Sequence, residues 1–207
     1  MYVTIIHLEE KILQTETVKL KDIAKIITGL PIQRYIDKEE TEEKTIILNM
    51  PALEIDEKFP TTQQKMAAKI KNHFYSREHD ILYKVQQQSF AKEITSETDA
   101  IITNSYLIIR INDFNKVNPT FLTYYLNDPR VHYQIQRTID STKIMKVNTK
   151  ILKDLNVLLP SKQVQDAQVD LIKKINERIE AKKKSIQCDE KLINSLYDAV
   201  IGDAYEN

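Results

Sequence analysis

Ile172-Lys-Lys-Ile175-Asn-Glu-Arg-Ile179-Glu-Ala-Lys-Lys-Lys-Ser-Ile186-Gln-Cys-Asp-Glu-Lys-Leu-Ile193-Asn-Ser-Leu196-Tyr-Asp-Ala-Val200 decides the architecture of this chain. Ile172, Ile179, Ile186, Ile193 and Val200 recur every seventh residue. Seven residues make two helical turns, so these side chains form one stripe along a long helix. The interleaved positions are mixed: Ile175 and Leu196 are apolar, whereas Lys182 and Asp189 are not. Such a helix has no core of its own in which to bury the stripe. It calls for a partner helix, from this chain or another.

Working back from the arm, Pro160-Ser161 is a natural boundary, with serine placed to cap the helix. The reading is an α+β protein: a globular head over residues 1–160 and a coiled-coil-type helical arm over 161–207. A chain of 207 residues with 42% hydrophobic content can hold one substantial core plus such an appendage. The longest apolar runs are too short for a membrane span. The opening Met1-Tyr2-Val3-Thr4-Ile5-Ile6-His7-Leu8 lacks a basic start and meets Glu9-Glu10 at once, so it reads as a strand or extension, not a signal peptide. A single cysteine, Cys188, cannot form an internal disulfide, and a cytoplasmic setting is expected.

Within the head, Lys19 to Ile26 reads as a short helix with Leu20, Ile23, Ala24 and Ile26 on its apolar face, ended by Gly29-Leu30-Pro31. Thr45–Leu48, Ile81–Val85, Tyr106–Ile111 and Asn156–Leu159 are strand candidates rich in β-branched and aromatic residues. Asn118-Pro119 and Asp128-Pro129 each pair a side-chain acceptor with a proline at the first helical position, predicting helices to about Leu126 and Ile139. The stretch from Asn49 to Lys71 has no decisive pattern. In the arm, Asp189-Glu190 is a candidate break and Gly202 a candidate terminator.

The residues of an enzyme are missing. Two glycines, Gly29 and Gly202, cannot build a phosphate or dinucleotide cradle. Asn118-Pro119-Thr120-Phe121 is weakly similar to an amino-methyltransferase loop, but a helix cap explains it better. His7, His73, His79 and His132 are scattered, with no thiol or carboxylate at ligand spacing, so neither a metal nor another cofactor is expected. The carboxylates between Glu39 and Glu43 lie in a polar stretch that gives no cause for a shifted pKa. Weight therefore moves to recognition and assembly.

Recognition has more to work with. The formal charge is zero but uneven: eight acids and three bases lie between Asp37 and Lys58, and six bases and one acid between Arg130 and Lys153. Arg34-Tyr35 follow the head's turn glycine. Lys84 leads into Gln86-Gln87-Gln88, and Ser141-Thr142-Lys143-Ile144-Met145-Lys146 is a basic, hydroxyl-rich segment. Gln and Asn can bond an adenine edge, Arg and Lys a guanine, and Ser, Thr and Lys suit phosphates. These residues are the candidate DNA contacts.

The order of these pieces resembles one half of the DNA-specificity (S) subunit of type I restriction–modification systems. Leu20-Lys21-Asp22-Ile23-Ala24-Lys25-Ile26-Ile27-Thr28-Gly29 with Pro31 and Arg34 is similar to the family's opening. Asp80-Ile81-Leu82-Tyr83 and Ala100–Arg110 resemble its strands. Val117-Asn118-Pro119-Thr120-Phe121-Leu122-Thr123-Tyr124-Tyr125-Leu126-Asn127 resembles its proline–aromatic–leucine helix, and Ile151–Pro160 the strand leading to its helical spacer. Asp140 stands where the family usually has glycine. Gln163, Gln165 and Gln168 flank, without matching, the position of the spacer's usual glutamine.

The resemblance implies a non-catalytic target-recognition domain that reads one half of a split site in double-stranded DNA. It implies spacers that pair antiparallel, dock a methyltransferase (modification) subunit and sit in a complex that recruits a restriction/translocase subunit. A full-length S subunit has two domains and two spacers. One of each implies a homodimer, or pairing with another half-subunit, through Ile172, Ile175, Ile179, Ile186, Ile193, Leu196 and Val200. The alternative from the residues alone is a protein–protein adaptor whose head is dimerised by the arm.

Overall fold

The computed structural model describes residues 15–36, 41–48, 50, 58–85, 89–96, 99–138 and 147–205, with the backbone alone from 199. The readings placed on Met1–Leu8, Gln86–Gln88 and Ser141–Lys146 lie outside these residues. The chain divides into two compact units, 1–165 and 166–207.

The first unit is built around one strand. In chain order it contains β1 (Glu16–Lys19), α1 (Leu20–Ile23), β2 (Ala24–Thr28), β3 (Thr41–Ile47), β4 (Thr61–Ala67), β5 (Ile81–Lys84), β6 (Ala91–Glu93), β7 (Ile101–Ile102), β8 (Tyr106–Ile111), α2 (Pro119–Leu126), α3 (Pro129–Arg137), α4 (Thr149–Lys153) and β9 (Asn156–Leu159). Strand β8 reads Tyr-Leu-Ile-Ile-Arg-Ile, a continuous apolar run suited to burial on both faces. It lies between β2 and β5, antiparallel to both, with β6 beyond β5. Successive side chains of a strand point to opposite faces. Leu107, Ile109 and Ile111 join the larger core with Leu20, Ile26, Ile81, Tyr83, Leu122, Leu126, Val131 and Leu152. Tyr106 and Ile108 join a second core with Ile47, Leu82, Ile94 and Ile102.

A three-stranded sheet, β4-β3-β7, carries a third cluster of Leu30, Ile46, Met66 and Ile101. Strands β3 and β7 run parallel, matching Ile46 to Ile101 and Ile47 to Ile102. Strands β1 and β9 form a separate antiparallel pair.

Several expectations change. The helix expected over Lys19–Ile26 stops at Ile23, and Ala24–Thr28 is strand β2. Ile26-Ile27-Thr28 is β-branched and takes cross-strand partners from β8, Ile26 opposite Ile109 and Ile27 opposite Ile108. Within the undecided stretch, Thr61–Ala67 forms β4, whose pairing with β3 extends that strand back to Thr41. Helix α4 precedes β9 where only a strand was read. Asn148 caps it by accepting from the Ile151 amide at 3.0 Å.

The two proline-marked helices form as read. The Asn118 carbonyl oxygen accepts from the Phe121 amide at 3.0 Å, and the Asp128 carboxylate from the Arg130 amide at 2.8 Å. Hydrogen bonds from the Arg130 guanidinium hold the Asp128 carboxyl down at about 2. Helix α2 also protects the sheet margin. Asn127 accepts from the Ala91 amide at 2.8 Å and donates to the Ala91 carbonyl at 2.7 Å, imitating a neighbouring strand along β6. Glu93 accepts from Thr120 at 2.7 Å and pairs with His79, also at 2.7 Å.

Arg110 donates to both oxygens of Asp80, at 2.7 and 2.6 Å, and to the Tyr75 carbonyl at 3.2 Å. This bidentate pair satisfies a carboxylate whose side chain is 1% exposed. Burial pushes the Tyr83 phenol up to about 12, against a smaller opposing hydrogen bond with Ser89.

Helix α5 runs unbroken over Lys162–Tyr205, about 66 Å at the standard rise. Asp189-Glu190 does not interrupt it, since both are exposed among good helix formers. Gly202 lies inside it, because one internal glycine costs a helix only about 1 kcal/mol.

Its first turn belongs to the first unit. Gln165 is fully buried, donates to the carbonyls of Pro160 at 2.8 Å and Lys116 at 2.9 Å, and accepts from the Asn118 amide at 2.9 Å. That anchor explains why the compact units divide after Gln165, five residues beyond the expected boundary.

A Cβ on Gly29 would lie 2.1 Å from the Thr103 carbonyl oxygen and 2.8 Å from that of Ile102, both backbone atoms that cannot swing aside. Gly29→Ala is therefore expected to destabilise the first unit by about 3 kcal/mol, read as a lowered thermal midpoint. An unchanged midpoint contradicts this packing.

Candidate nucleic-acid interface

The antiparallel register puts the C-terminal ends of β2 and β5 at the N-terminal end of β8. Thr28 lies opposite Leu107, and Lys84 opposite Tyr106. The chain leaves this end at three places. The Gly29 amide donates to the Tyr106 carbonyl at 3.1 Å, and the Leu30 amide to that of Ile102 at 2.8 Å. From there the chain passes Pro31 into a 3-10 turn, Ile32–Arg34. The Val85 amide donates to the Ser105 carbonyl at 3.1 Å, and the Val85 carbonyl accepts from the Val147 amide at 3.1 Å. Val85 immediately precedes Gln86, and Val147 immediately follows Lys146. The borders of both predicted contact segments are thus joined to each other, at the sheet end that also carries the turn to Arg34.

Arg34 is exposed and Tyr35 half-buried. The Tyr35 side chain packs against the cluster of Leu30, Ile46, Met66 and Ile101. Its carbonyl accepts from the Ala67 amide at 2.8 Å, which fastens the turn to β4. Arg34 is therefore presented by a supported backbone.

Lys84 requires correction as a contact residue. It is only 3% exposed. Its ammonium donates to the Met50 carbonyl at 2.7 Å and lies 5.5 Å from the centre of the Phe90 ring. A cation so enclosed does not reach a phosphate. Its position beside the polar glutamines made it look like part of a surface run, whereas it occupies the last, fully buried position of β5.

Sequence reasoning missed the β3–β4 ribbon beside Tyr35. One of its faces carries Glu43, Thr45, Gln63 and Lys65. Gln63 donates to the Thr45 hydroxyl at 3.0 Å. A two-stranded ribbon of this width is an element that a DNA major groove admits. Its alternation of polar residues with Ile46 and Met66 was the available signal.

Taken by itself, the second unit displays the apolar stripe. Ile172 is half-buried, Ile175 is 38% exposed, and Ile179, Ile186, Ile193 and Leu196 range from 43 to 60%. Val200 falls on the same helix, where only the backbone is described. Among the described residues there is no group of His, Cys, Asp and Glu able to hold a metal ion, and no helix long and apolar enough to cross a membrane.

No protein-family model and no curated protein matches the sequence. Solved structures do. A chain from a type I R–M system, solved in work on its complex assembly and conformational transition, superposes with a TM-score of 0.64 at 19% identity, over 92% of this chain and 45% of that one. The HsdS subunit from Thermoanaerobacter tengcongensis gives 0.64 at 14% identity, over 91% of this chain and 49% of that one. The type I S subunit from M. genitalium gives 0.55 at 15% identity, over 92% and 48%. This chain has the fold of a type I specificity subunit. It spans about half the length of the solved chains it matches.

Within this S-subunit fold, Lys84 has a structural role. Lys84→Ala removes the donor to the Met50 carbonyl and leaves a void beside Phe90, a loss expected to cost about 2–4 kcal/mol. Thermal unfolding checks it: a marked fall in midpoint is expected, and a variant as stable as the parent contradicts the buried placement.

Proposed function

We propose that this chain is a DNA-specificity module of a type I restriction–modification complex. It reads one half of a bipartite site and carries no catalytic residue. The observation that carries this reading is the convergence at one end of the central sheet. A turn bearing Arg34 and Tyr35 leaves there, as do the borders of the Gln86–Gln88 and Ser141–Lys146 segments. A rigid sheet holding polar segments at one margin suits sequence readout: base-edge contacts supply preference, about 1–3 kcal/mol per good bidentate pair. Phosphate contacts supply register and salt dependence.

The arm is the assembly element. Its exposed isoleucines are covered by a second copy, or by another half-subunit, and the paired arms dock a methyltransferase subunit that supplies the chemistry. The completed complex recruits the restriction/translocase subunit. With zero formal charge, the chain alone binds DNA weakly and relies on its partners' charge. A twofold pair presents the same surface twice and so reads an interrupted palindrome.

Genome-wide methylation mapping in a host carrying this chain with its candidate methyltransferase tests the function. The expected result is co-purification of the two and methylation at an interrupted motif. Gln87→Ala should change the preferred sequence. Lys143→Ala with Lys146→Ala should weaken binding to all sequences alike. Absence of both co-purification and new methylation contradicts the reading and favours the adaptor alternative.

The arm is tested separately. Ile179→Asp with Ile186→Asp should leave the head folded and abolish concentration-dependent association in sedimentation. Unaltered association would exclude the stripe as the interface.

A further inference from the structure

From Lys58 to Arg77 the chain carries five basic residues, Lys58, Lys65, Lys69, Lys71 and Arg77, and no aspartate or glutamate. Lys69 and Lys71 lie between β4 and the 3-10 turn Asn72–Phe74, and Arg77 follows the turn. Ala68, Lys69, Ile70, Asn72, Tyr75, Ser76, Arg77 and Asp99 line an open cleft of about 660 Å³ there. Lys69, Lys71, Asn72 and Arg77 are exposed. The cleft borders the C-terminal end of β8, where Arg110 donates to the Tyr75 carbonyl at 3.2 Å and lies opposite Lys25 of β2. The positive charges are close together. The His73 imidazole is held below its ordinary value by burial first, then by the charges of Lys71, Lys25 and Arg110.

Some exposed cations elsewhere have local partners: Lys21 with Asp154, Lys44 with Glu42, Arg130 with Asp128, and Lys183 with Glu180. Arg110 is neutralised by Asp80. Among the described residues, no carboxylate pairs with Lys25, Lys69, Lys71 or Arg77. Asp99 and Glu78 are the acids at hand. Asp99 lines the cleft from a left-handed backbone position, φ 42°.

We propose that this cleft, with Lys69, Asn72 and Arg77 on its wall and Lys71 and Lys25 nearby, seats the phosphodiester backbone of double-stranded DNA. The proposal rests on the DNA-reading function and adds a second contact to it. Tyr106 is the first residue of β8 and Arg110 its penultimate one, four residues or about 14 Å apart along the strand, a length of about four base pairs of duplex rise. Lysine, arginine and amide groups suit phosphate oxygens, and such contacts carry no base preference. The cleft supplies grip on a protein whose formal charge is zero, and the other end of the sheet supplies choice.

The test uses the full chain and a duplex of arbitrary sequence at low ionic strength, titrated at several salt concentrations. Lys69→Ala with Arg77→Ala should weaken binding about tenfold and lower the salt slope by about 2, one unit per lost phosphate contact. Lys173→Ala with Lys174→Ala, which removes the same charge from the exposed side of the arm, should leave both quantities near the parent values. Asp99→Asn removes the opposing carboxylate with a residue that tolerates left-handed backbone, and should tighten binding several-fold. A Lys69/Arg77 variant that binds like the arm control, or an Asp99→Asn variant no tighter than the parent, overturns the cleft assignment while DNA binding stands. A complex of this chain with its methyltransferase that fails to bind duplex even at low salt overturns the DNA-reading function, and the cleft with it.

Discussion

The head depends on one close backbone approach. Gly29 lies against Ile102 and Thr103 so tightly that no side chain fits. In that gap the Gly29 amide reaches Tyr106, the Leu30 amide reaches Ile102, and the Asn104 amide reaches Leu30. These bonds join the four-stranded sheet to the segment that leads through β7 into the three-stranded one. They satisfy backbone groups that burial would otherwise leave costly. They also aim the chain past Pro31 toward Arg34, one of the residues proposed to contact DNA.

The rest of the head follows from β8. A strand buried on both faces requires cover on both sides. The helices provide it on one face, and β3, β7 and Ile94 on the other. Edge strand β6 is closed by the Asn127 amide instead of another strand. The turn to Arg34 and the described borders of the 86–88 and 141–146 segments lie at one margin of this layer, an arrangement that lets a scaffold vary its contacts without changing its core. The arm adds a different physics. Its first turn is locked by the three hydrogen bonds of Gln165. Beyond that, Ile175, Ile179, Ile186, Ile193 and Leu196 are exposed, the apolar surface that the proposed pairing of arms would cover.

Much of this was legible in the residues. Tyr106–Ile111 announced a buried strand by its run of β-branched residues, and Asn118-Pro119 and Asp128-Pro129 announced two helix starts by cap chemistry. The seven-residue isoleucine period announced the arm. What was illegible depended on distant partners. Ala24–Thr28 has a helix-compatible apolar spacing, and only β8 makes it a strand. Thr61–Ala67 is polar enough to pass for a loop, and becomes a strand by pairing with β3. Lys84 carries a charge that any surface reading claims, yet the Met50 carbonyl holds it inside. Gln165 sits among Gln163 and Gln168, and nothing local distinguishes the one that faces the buried carbonyls.

Hydrogen–deuterium exchange on the assembled complex, with and without its DNA site, measures the central claim most directly. The account predicts that DNA slows exchange in residues 30–36, 85–89, 103–105 and 139–147, while β1 and β9 exchange as before. Protection confined to β1 and β9, or absent from the head altogether, would contradict it.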